Sequence, residues 1–362
     1  MEVDAPGECE EGLGVGGGRG EEFSDLVRGE TLSSYPSGGS VHDFGEGRLI
    51  DSEVGRFEGV EFAGIDEGEL VGLVQLEPEV KRAAGVFDLD VGIVGVFGWS
   101  GQAGFAATVV NALNPPSYTS WRRDWPPLAA SVLAAAERSG ARLVTIGNLY
   151  GYGQVDAPMT ESTPVAPNGP KGQIRAQMWA DALAAHRAGR VRATEVRASD
   201  YVGPATLASS LLSTYLIAPL LAGKSPRMPL GHSDVRHSWT FDQDVATLVR
   251  ELALTVDETA YGRVWHVPTD EPATYAEVAT LVSEVAGVEP RQVRVLPRSV
   301  VGIGGLVVPL LRELKETRHQ FERPWVLDGR AAQERFGIRP TPLRGAVIAT
   351  VEAVRGQATV RG

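Results

Sequence analysis

The chain has 362 residues, 43% of them hydrophobic, and a formal net charge of −12. That is apolar material for one large core or two of ordinary size. A single cysteine, Cys9, excludes an internal disulfide framework and a cysteine-based zinc site, so a reducing, cytoplasmic setting without a metal centre is expected.

The charge is unevenly placed. Residues 1–100 hold 22 Asp and Glu against 6 Lys and Arg, a net of −16, and 21 of the 43 glycines; the other 262 residues net +4. An acidic, glycine-rich stretch buries too little to offset the entropy of ordering it, so residues 1–90 are expected to be low-complexity and disordered, residues 1–56 above all. Nucleic acid is a poor partner for such a chain. The first residues have neither a basic start nor an apolar core, so no signal peptide is expected. The longest apolar run, Val300–Leu311, is too short to span a bilayer and contains Pro309, so no membrane partner is expected either.

In chain order, the first motif is Gly12-x-Gly14-x-x-Gly17. It follows an acidic loop rather than a strand, and low complexity is its reading. Next comes FGWSGQAGFAATVV, which has two parses. Gly98, Gly101 and Gly104 after VGIVGVF resemble a strand, a phosphate-binding turn and a helix opening at Phe105. Alternatively, the stretch from Thr108 to Leu113 is itself a strand, left by the loop NPPSY.

Pro126 and Pro127 are expected to start a helix through Ala136, closed by Gly140. Residues 141–147 (ARLVTIG) read as a short buried strand, followed by the loop NLYGYG. Helical spacing runs from Ile174 to Arg187, on a helix that opens near residue 170 and closes at Gly189. Residues 191–196 (VRATEV) form the next strand, left by ASDYVGP. Alternating strands and helices with short connections imply a parallel sheet covered on both faces.

Farther on, a helix is expected over 210–222 and another over 242–254, after the strand-like HSWTF. A strand follows at 263–267. Thr274 and Glu277 form a capping box that opens a helix to Ala286. QVRVLP reads as a strand, and Pro342 opens a last helix through Val354.

The ordered set ARLVTIGNLYGYG, VRATEVRASDYVGP, HSWTFDQDVATLV, GRVWHVPTDEPATYAEVATLV and RFGIRPTPL resembles the NAD(P)-dependent epimerase/dehydratase family, the extended short-chain dehydrogenases/reductases. The likeness covers about residues 107–355. It implies an α/β fold with a Rossmann-type parallel sheet, with or without its first strands, and a small C-terminal α/β substrate subdomain. The division it implies is 1–90 low complexity, 91–205 plus 234–268 dinucleotide-binding, and 206–233 plus 269–356 substrate-binding. The cofactor implied is NAD or NADP.

The resemblance also sets a register. It makes TVVNALNPPSY the fourth strand and its exit, and ARLVTIG the fifth. Three strands with crossovers must lie between a phosphate loop and the fifth strand, commonly on the order of 70 residues. Only 36 residues separate Gly104 from Ala141, which weighs against Gly98, Gly101 and Gly104 as the cofactor loop.

The family's chemistry needs a Tyr, a Lys four residues later, and a Ser or Thr on the fifth-strand loop. Here the Ser/Thr position falls on Asn148, and the helix start offers Lys171 and Arg175. Asn148 can still donate a hydrogen bond to a substrate oxygen. Arg175 can bind ribose hydroxyls or phosphate but cannot act as a base near neutral pH. Lys171, with a cation one turn away, is a candidate proton exchanger, and Tyr150 and Tyr152 are alternative phenols. Against this stands the reading of Lys171 and Arg175 as an exposed basic helix start.

Asn111 and Asn114, leaving the fourth strand, and Tyr201 and Gly203, in the loop expected to pass the nicotinamide, complete the cofactor candidates. Arg236 and His237 are candidates for an anionic substrate; His232 and His237 read as surface or substrate-pocket residues rather than metal ligands. Asp244 reads as a helix N-terminal charge.

The function implied is an NAD(P)-dependent oxidoreductase or epimerase acting on a sugar-nucleotide-like or small carbonyl substrate. The alternative is a catalytically inactive or truncated Rossmann-fold binding or regulatory protein, with residues 1–106 not the family's own N-terminal half. A homodimer remains an open alternative to a monomer.

Overall fold

The computed structural model describes backbone strands at 56–57, 60–61, 65–66, 69–76 and 93–99, and residues 108–115, 119–298 and 315–361; side chains are described over 108–115, 119–298 and 315–357. Gly12, Gly14, Gly17, Gly101, Gly104 and the Val300–Leu311 run lie outside the described residues. Short strands β1 (Arg56–Phe57), β2 (Val60–Glu61), β3 (Ile65–Asp66) and β4 (Glu69–Leu76) fall inside the stretch expected to be low-complexity. The last, ELVGLVQL, carries three leucines and two valines in eight residues.

The parallel part of the sheet is built from β6 (Thr108–Asn111), β7 (Arg142–Asn148), β8 (Arg192–Ala198) and β12 (Val264–His266). They lie side by side in that order, all parallel, with Asn111 opposite Thr145, Thr145 opposite Glu195, and Glu195 opposite Val264. Beyond β6 the sheet changes sense: β5 (Ile93–Trp99) is antiparallel to β6 and to β4.

Of the two parses of FGWSGQAGFAATVV, the second holds at Thr108–Asn111, which is a strand. Gly98 lies within β5, opposite Leu70, and the element after the glycines is the strand at Thr108, antiparallel to it. A phosphate-binding turn carries a strand into a helix, whereas among the described residues β5 is followed by the antiparallel β6; Gly101 and Gly104 lie outside them.

Helices cover both faces. On one, α1 (Trp121–Ser139) and α2 (Pro170–Arg187) pack Trp121, Trp125, Leu128, Val132, Trp179 and Ala182 against Leu143 and Ala193. On the other, α4 (Asp242–Leu254) packs Val245, Leu248, Val249 and Leu252 against Val110, Val144 and Val196. Strands covered twice carry apolar residues on both sides, as β7 and β8 do.

α1 starts five residues before the expected Pro126. Trp121 and Trp125, one turn apart, are both buried and meet edge to face at 6.0 Å, and their burial draws the helix back past the prolines. It ends as expected at Gly140, which takes a left-handed φ of 69°. α2 opens with Pro170 at its first position, where the missing N–H costs nothing.

After β9 (Asp200–Val202) the expected helix over 210–222 is found at 211–221, with a π-helical turn at Ser213–Ile217 inside it and α3 (Ala218–Leu221) as its last part. Pro219, which has no amide hydrogen, sits at that junction. β10 (Arg227–Met228) pairs with β13 (Arg294–Val295), and β11 (Trp239–Phe241) with β9, both parallel.

The capping box holds on α5 (Tyr275–Ala286): Thr274 Oγ1 accepts the Glu277 N–H at 3.1 Å, and Glu277 accepts the Thr274 N–H at 2.8 Å. α6 (His319–Glu322), α7 (Arg330–Phe336) and α8 (Leu343–Arg361) close the chain. A separate apolar cluster joins α5 and α8 to Leu212, Leu216, Trp239 and Phe321.

Candidate active site

In a parallel sheet the loops leaving the strand carboxyl ends share one edge, and ligands bind there. Here that edge gathers Asn111, Asn148, Ala198 and His266 at the ends of β6, β7, β8 and β12. The sequence candidates can be placed against it one by one.

Asn148 ends β7, half-buried, and its Oδ1 accepts the Tyr150 N–H at 3.1 Å. That turn leaves its amide Nδ2 as the end able to face a ligand. The half-buried Tyr150 ring lies 6.2 Å from Trp121.

Tyr152 points elsewhere. Its hydroxyl lies 2.7 Å from His266 Nε2. His266 Nδ1 faces the Asp328 carbonyl at 3.1 Å, so Nδ1 carries the hydrogen and Nε2 accepts from the phenol. Burial holds the imidazole down at about 4 and therefore neutral, and burial raises the phenol above its ordinary value, with nearby Arg197 opposing that rise. Arg197 lies over the Tyr152 ring at 4.8 Å and donates through Nε to Glu195 Oε1 at 2.8 Å, both side chains being buried.

Lys171 and Arg175 are not an exposed basic helix start; both are buried. Glu316 Oε1 accepts the Lys171 N–H at 2.7 Å and the Gly172 N–H at 3.2 Å, and Glu316 Oε2 lies 3.4 Å from Lys171 Nζ. A carboxylate thus sits on the amino end of α2, where the helix dipole favours it. The Arg175 guanidinium stacks on Trp125 at 4.4 Å and Trp121 at 5.1 Å, and donates to the Ile146 carbonyl at 3.4 Å.

Among the cofactor candidates, Asn111 is buried, with Oδ1 accepting the Leu113 N–H at 3.2 Å, while Asn114 is exposed. Tyr201 is half-buried in β9. Gly203 takes a φ of 148° with the Asp242 carboxylate against its Cα, space that no side chain could share. Asp242 in turn accepts the Ala205 N–H at 2.8 Å and the Thr206 hydroxyl at 3.2 Å; burial raises its carboxyl and these bonds oppose the rise.

The two substrate candidates separate. Arg236 is exposed, donating to the Pro272 carbonyl at 2.6 Å and pairing with Glu277 at 3.2 Å. His237 is buried rather than on the surface, stacked between Trp239 and Phe321, with Nε2 at 2.8 Å from Asp200 and Nδ1 at 3.1 Å from the Gln320 carbonyl. His232 is exposed. Asp244 is more than a helix-end charge: it accepts both the N–H and the hydroxyl of Thr341, at 2.8 and 2.7 Å.

Sequence reasoning passed over Glu195, Arg197, His266 and Glu316. The first two had a signal: opposite charges two apart in a strand covered on both faces must share a side and be paired. Glu316 lies 145 residues from its partner Lys171, and no local pattern marks it.

Residues 105–267 match the family described as NAD dependent epimerase/dehydratase. Among curated proteins, none matches the chain. Among solved structures, dTDP-glucose 4,6-dehydratase from Bacillus anthracis, in complex with NAD, aligns at a TM-score of 0.55 and 16% identity, over 69% of this chain and 73% of that one. UDP-glucuronic acid 4-epimerase from Bacillus cereus, also in complex with NAD, aligns at 0.54 and 14%, over 66% and 70%. RMD from Pseudomonas aeruginosa, complexed with NADPH, aligns at 0.53 and 17%, over 68% and 80%. At these identities the likeness is one of fold: a Rossmann-type α/β architecture. Residues 105–267 are thus similar to the NAD dependent epimerase/dehydratase family, over somewhat less than half of the chain.

Proposed function

We propose that the chain is an NAD(P)-linked oxidoreductase or epimerase acting on a sugar-nucleotide-like or small carbonyl substrate. One observation carries this reading: the exits of β7 and β8, with Asn148 on the first and Tyr201 and Gly203 beyond the second, open on one edge of a parallel sheet. The neighbours in complex with NAD and NADPH support the cofactor class.

The described residues fit the nicotinamide-ribose end of such a cofactor better than its pyrophosphate. Asn148, Tyr201 and Gly203 would meet the former, together with Arg175 once its bond to Ile146 is released. Among the described residues, no glycine-rich turn carries a strand into a helix ahead of β6. NAD or NADP, when bound, supplies reversible hydride transfer. The chain's own part is then to donate from Asn148 Nδ2 to a substrate oxygen, and to move a proton at Lys171 Nζ or at a neighbouring phenol. Arg236 would meet an anionic group of the substrate, with His237 buried behind it. The 91–205 plus 234–268 and 206–233 plus 269–356 divisions are proposed as the cofactor and substrate parts.

A second reading, a non-catalytic binding protein, has its own support. Lys171 is engaged by Glu316, Arg175 by two indoles, and Tyr152 by His266. The test is turnover of UDP-glucose with NAD by the purified chain, followed by NADH absorbance for net oxidation and by NMR of the sugar for epimerisation, which regenerates the NAD. Asn148→Ala and Lys171→Ala are each expected to lower the rate by about 100-fold or more. Turnover unchanged in both variants would contradict the roles assigned, and no turnover with any sugar nucleotide would favour the binding protein.

A further inference from the structure

A cavity of about 640 Å3 runs along the seam between α1 and α2. That volume falls within the range of small-molecule sites, about 300–1,000 Å3. Its lining runs from Asn111, the last residue of β6, back to Leu143, near the start of β7, and Glu137, late in α1, so it meets the strand edge at one end and extends from there along the side of the sheet, away from Asn148, Tyr201 and Gly203.

The walls are the two helices, contributing Ile174, Met178 and Trp179 among other apolar groups, and the floor is the row Asn111, Thr145, Glu195 across three neighbouring strands. This floor is polar where a packed core would be apolar. Thr145 is 9% exposed, and among the described residues its hydroxyl has no hydrogen-bond partner. Asn111 is 3% exposed; its carboxamide oxygen is used by Leu113 and its NH2 has no partner among the described residues. Glu195 gives one carboxylate oxygen to Arg197, which neutralises its charge and leaves the second oxygen as an acceptor. These polar groups face the open space of one cavity, where a ligand or water completes their hydrogen bonds.

We infer that the α1–α2 seam binds a flat, uncharged heteroaromatic molecule that presents a hydrogen-bond acceptor to Asn111 and Thr145 and a donor to Glu195. The two helical walls and the strand floor form a slot that suits a ring system, and Trp179 and Met178 supply apolar contact. A purine base carries donor and acceptor on adjacent edge positions and is the simplest member of the class.

The experiment is binding of free adenine to the full chain by ligand-observed NMR, with and without saturating NADH. Saturable binding that persists with NADH present is expected. Thr145→Val, which keeps the shape and removes the hydroxyl, weakens it by about tenfold. Ala129→Phe, which fills the cavity from α1, abolishes it while circular dichroism stays unchanged. Displacement by NADH, an affinity within twofold of the parent in Thr145→Val, or no binding at all would overturn the inference. Because NADH is a separate arm, failure here leaves the reading of the strand edge standing, and loss of NADH binding leaves this one standing.

Discussion

The Tyr152 hydroxyl and His266 Nε2 lie 2.7 Å apart in a buried pair whose direction is fixed by the carbonyl of Asp328 on the far side of the imidazole. It ties the loop after β7 to the end of β12, across the intervening β8. A phenol committed in this way supports the fold of the strand edge.

Tyr152→Phe should therefore destabilise the protein. The ring still packs, but His266 Nε2 is left buried without a donor, at a cost of about 1–3 kcal/mol. Urea denaturation of the parent and the variant reads this directly. Equal midpoints would mean that the pair contributes nothing to stability.

The same histidine sets a pH dependence. Its folded value of about 4 lies below the unfolded value near 6.5, so the unfolded chain takes up a proton first as the pH falls. The contribution is fully present above about 6.5 and is lost progressively towards about 4, amounting to about 3 kcal/mol over the window. Comparing denaturation midpoints at about pH 7 and pH 4.5 for the parent and His266→Gln separates this slope from that of the carboxylates. The variant should show the shallower loss; parallel slopes would remove His266 as the cause.

Glu316→Ala should loosen the amino end of α2. It removes the acceptor for the Lys171 and Gly172 amides and the carboxylate beside the Lys171 ammonium. A capping loss of about 1–2 kcal/mol is expected, because the site is largely buried. Faster amide hydrogen exchange confined to the first turn of α2 is its signature. Unchanged exchange there would show that the helix start is held by other contacts.

Much of this fold was legible in the chain because its signals are local. Thr274 and Glu277 mark a helix start, Gly140 marks an end, and the run from Asp242 to Leu254 is periodic throughout. Where the outcome differed, tertiary packing decided for α1, which Trp121 and Trp125 pulled back past its prolines; the expected 210–222 helix is present but carries a π-helical turn just ahead of Pro219. The glycines of FGWSGQAG look locally like a phosphate turn, and the antiparallel pairing of β5 with β6 on either side of that segment is a non-local fact that the stretch itself does not reveal.

The candidate site was less legible for the same reason. Asn148, Lys171 and Arg175 were found by position along the chain, but their partners Glu316, Trp121 and Trp125 come from other elements. Burial of Lys171 and Arg175 is a property of that assembly, and the basic spacing alone does not reveal it.

The central claim is that this strand edge takes a nicotinamide dinucleotide, and titration of NADH fluorescence with the purified full chain tests it most directly. Saturable enhancement, weakened by Asn148→Ala, is the result predicted. A flat titration up to millimolar NADH would contradict it and leave a Rossmann-type scaffold that binds no dinucleotide.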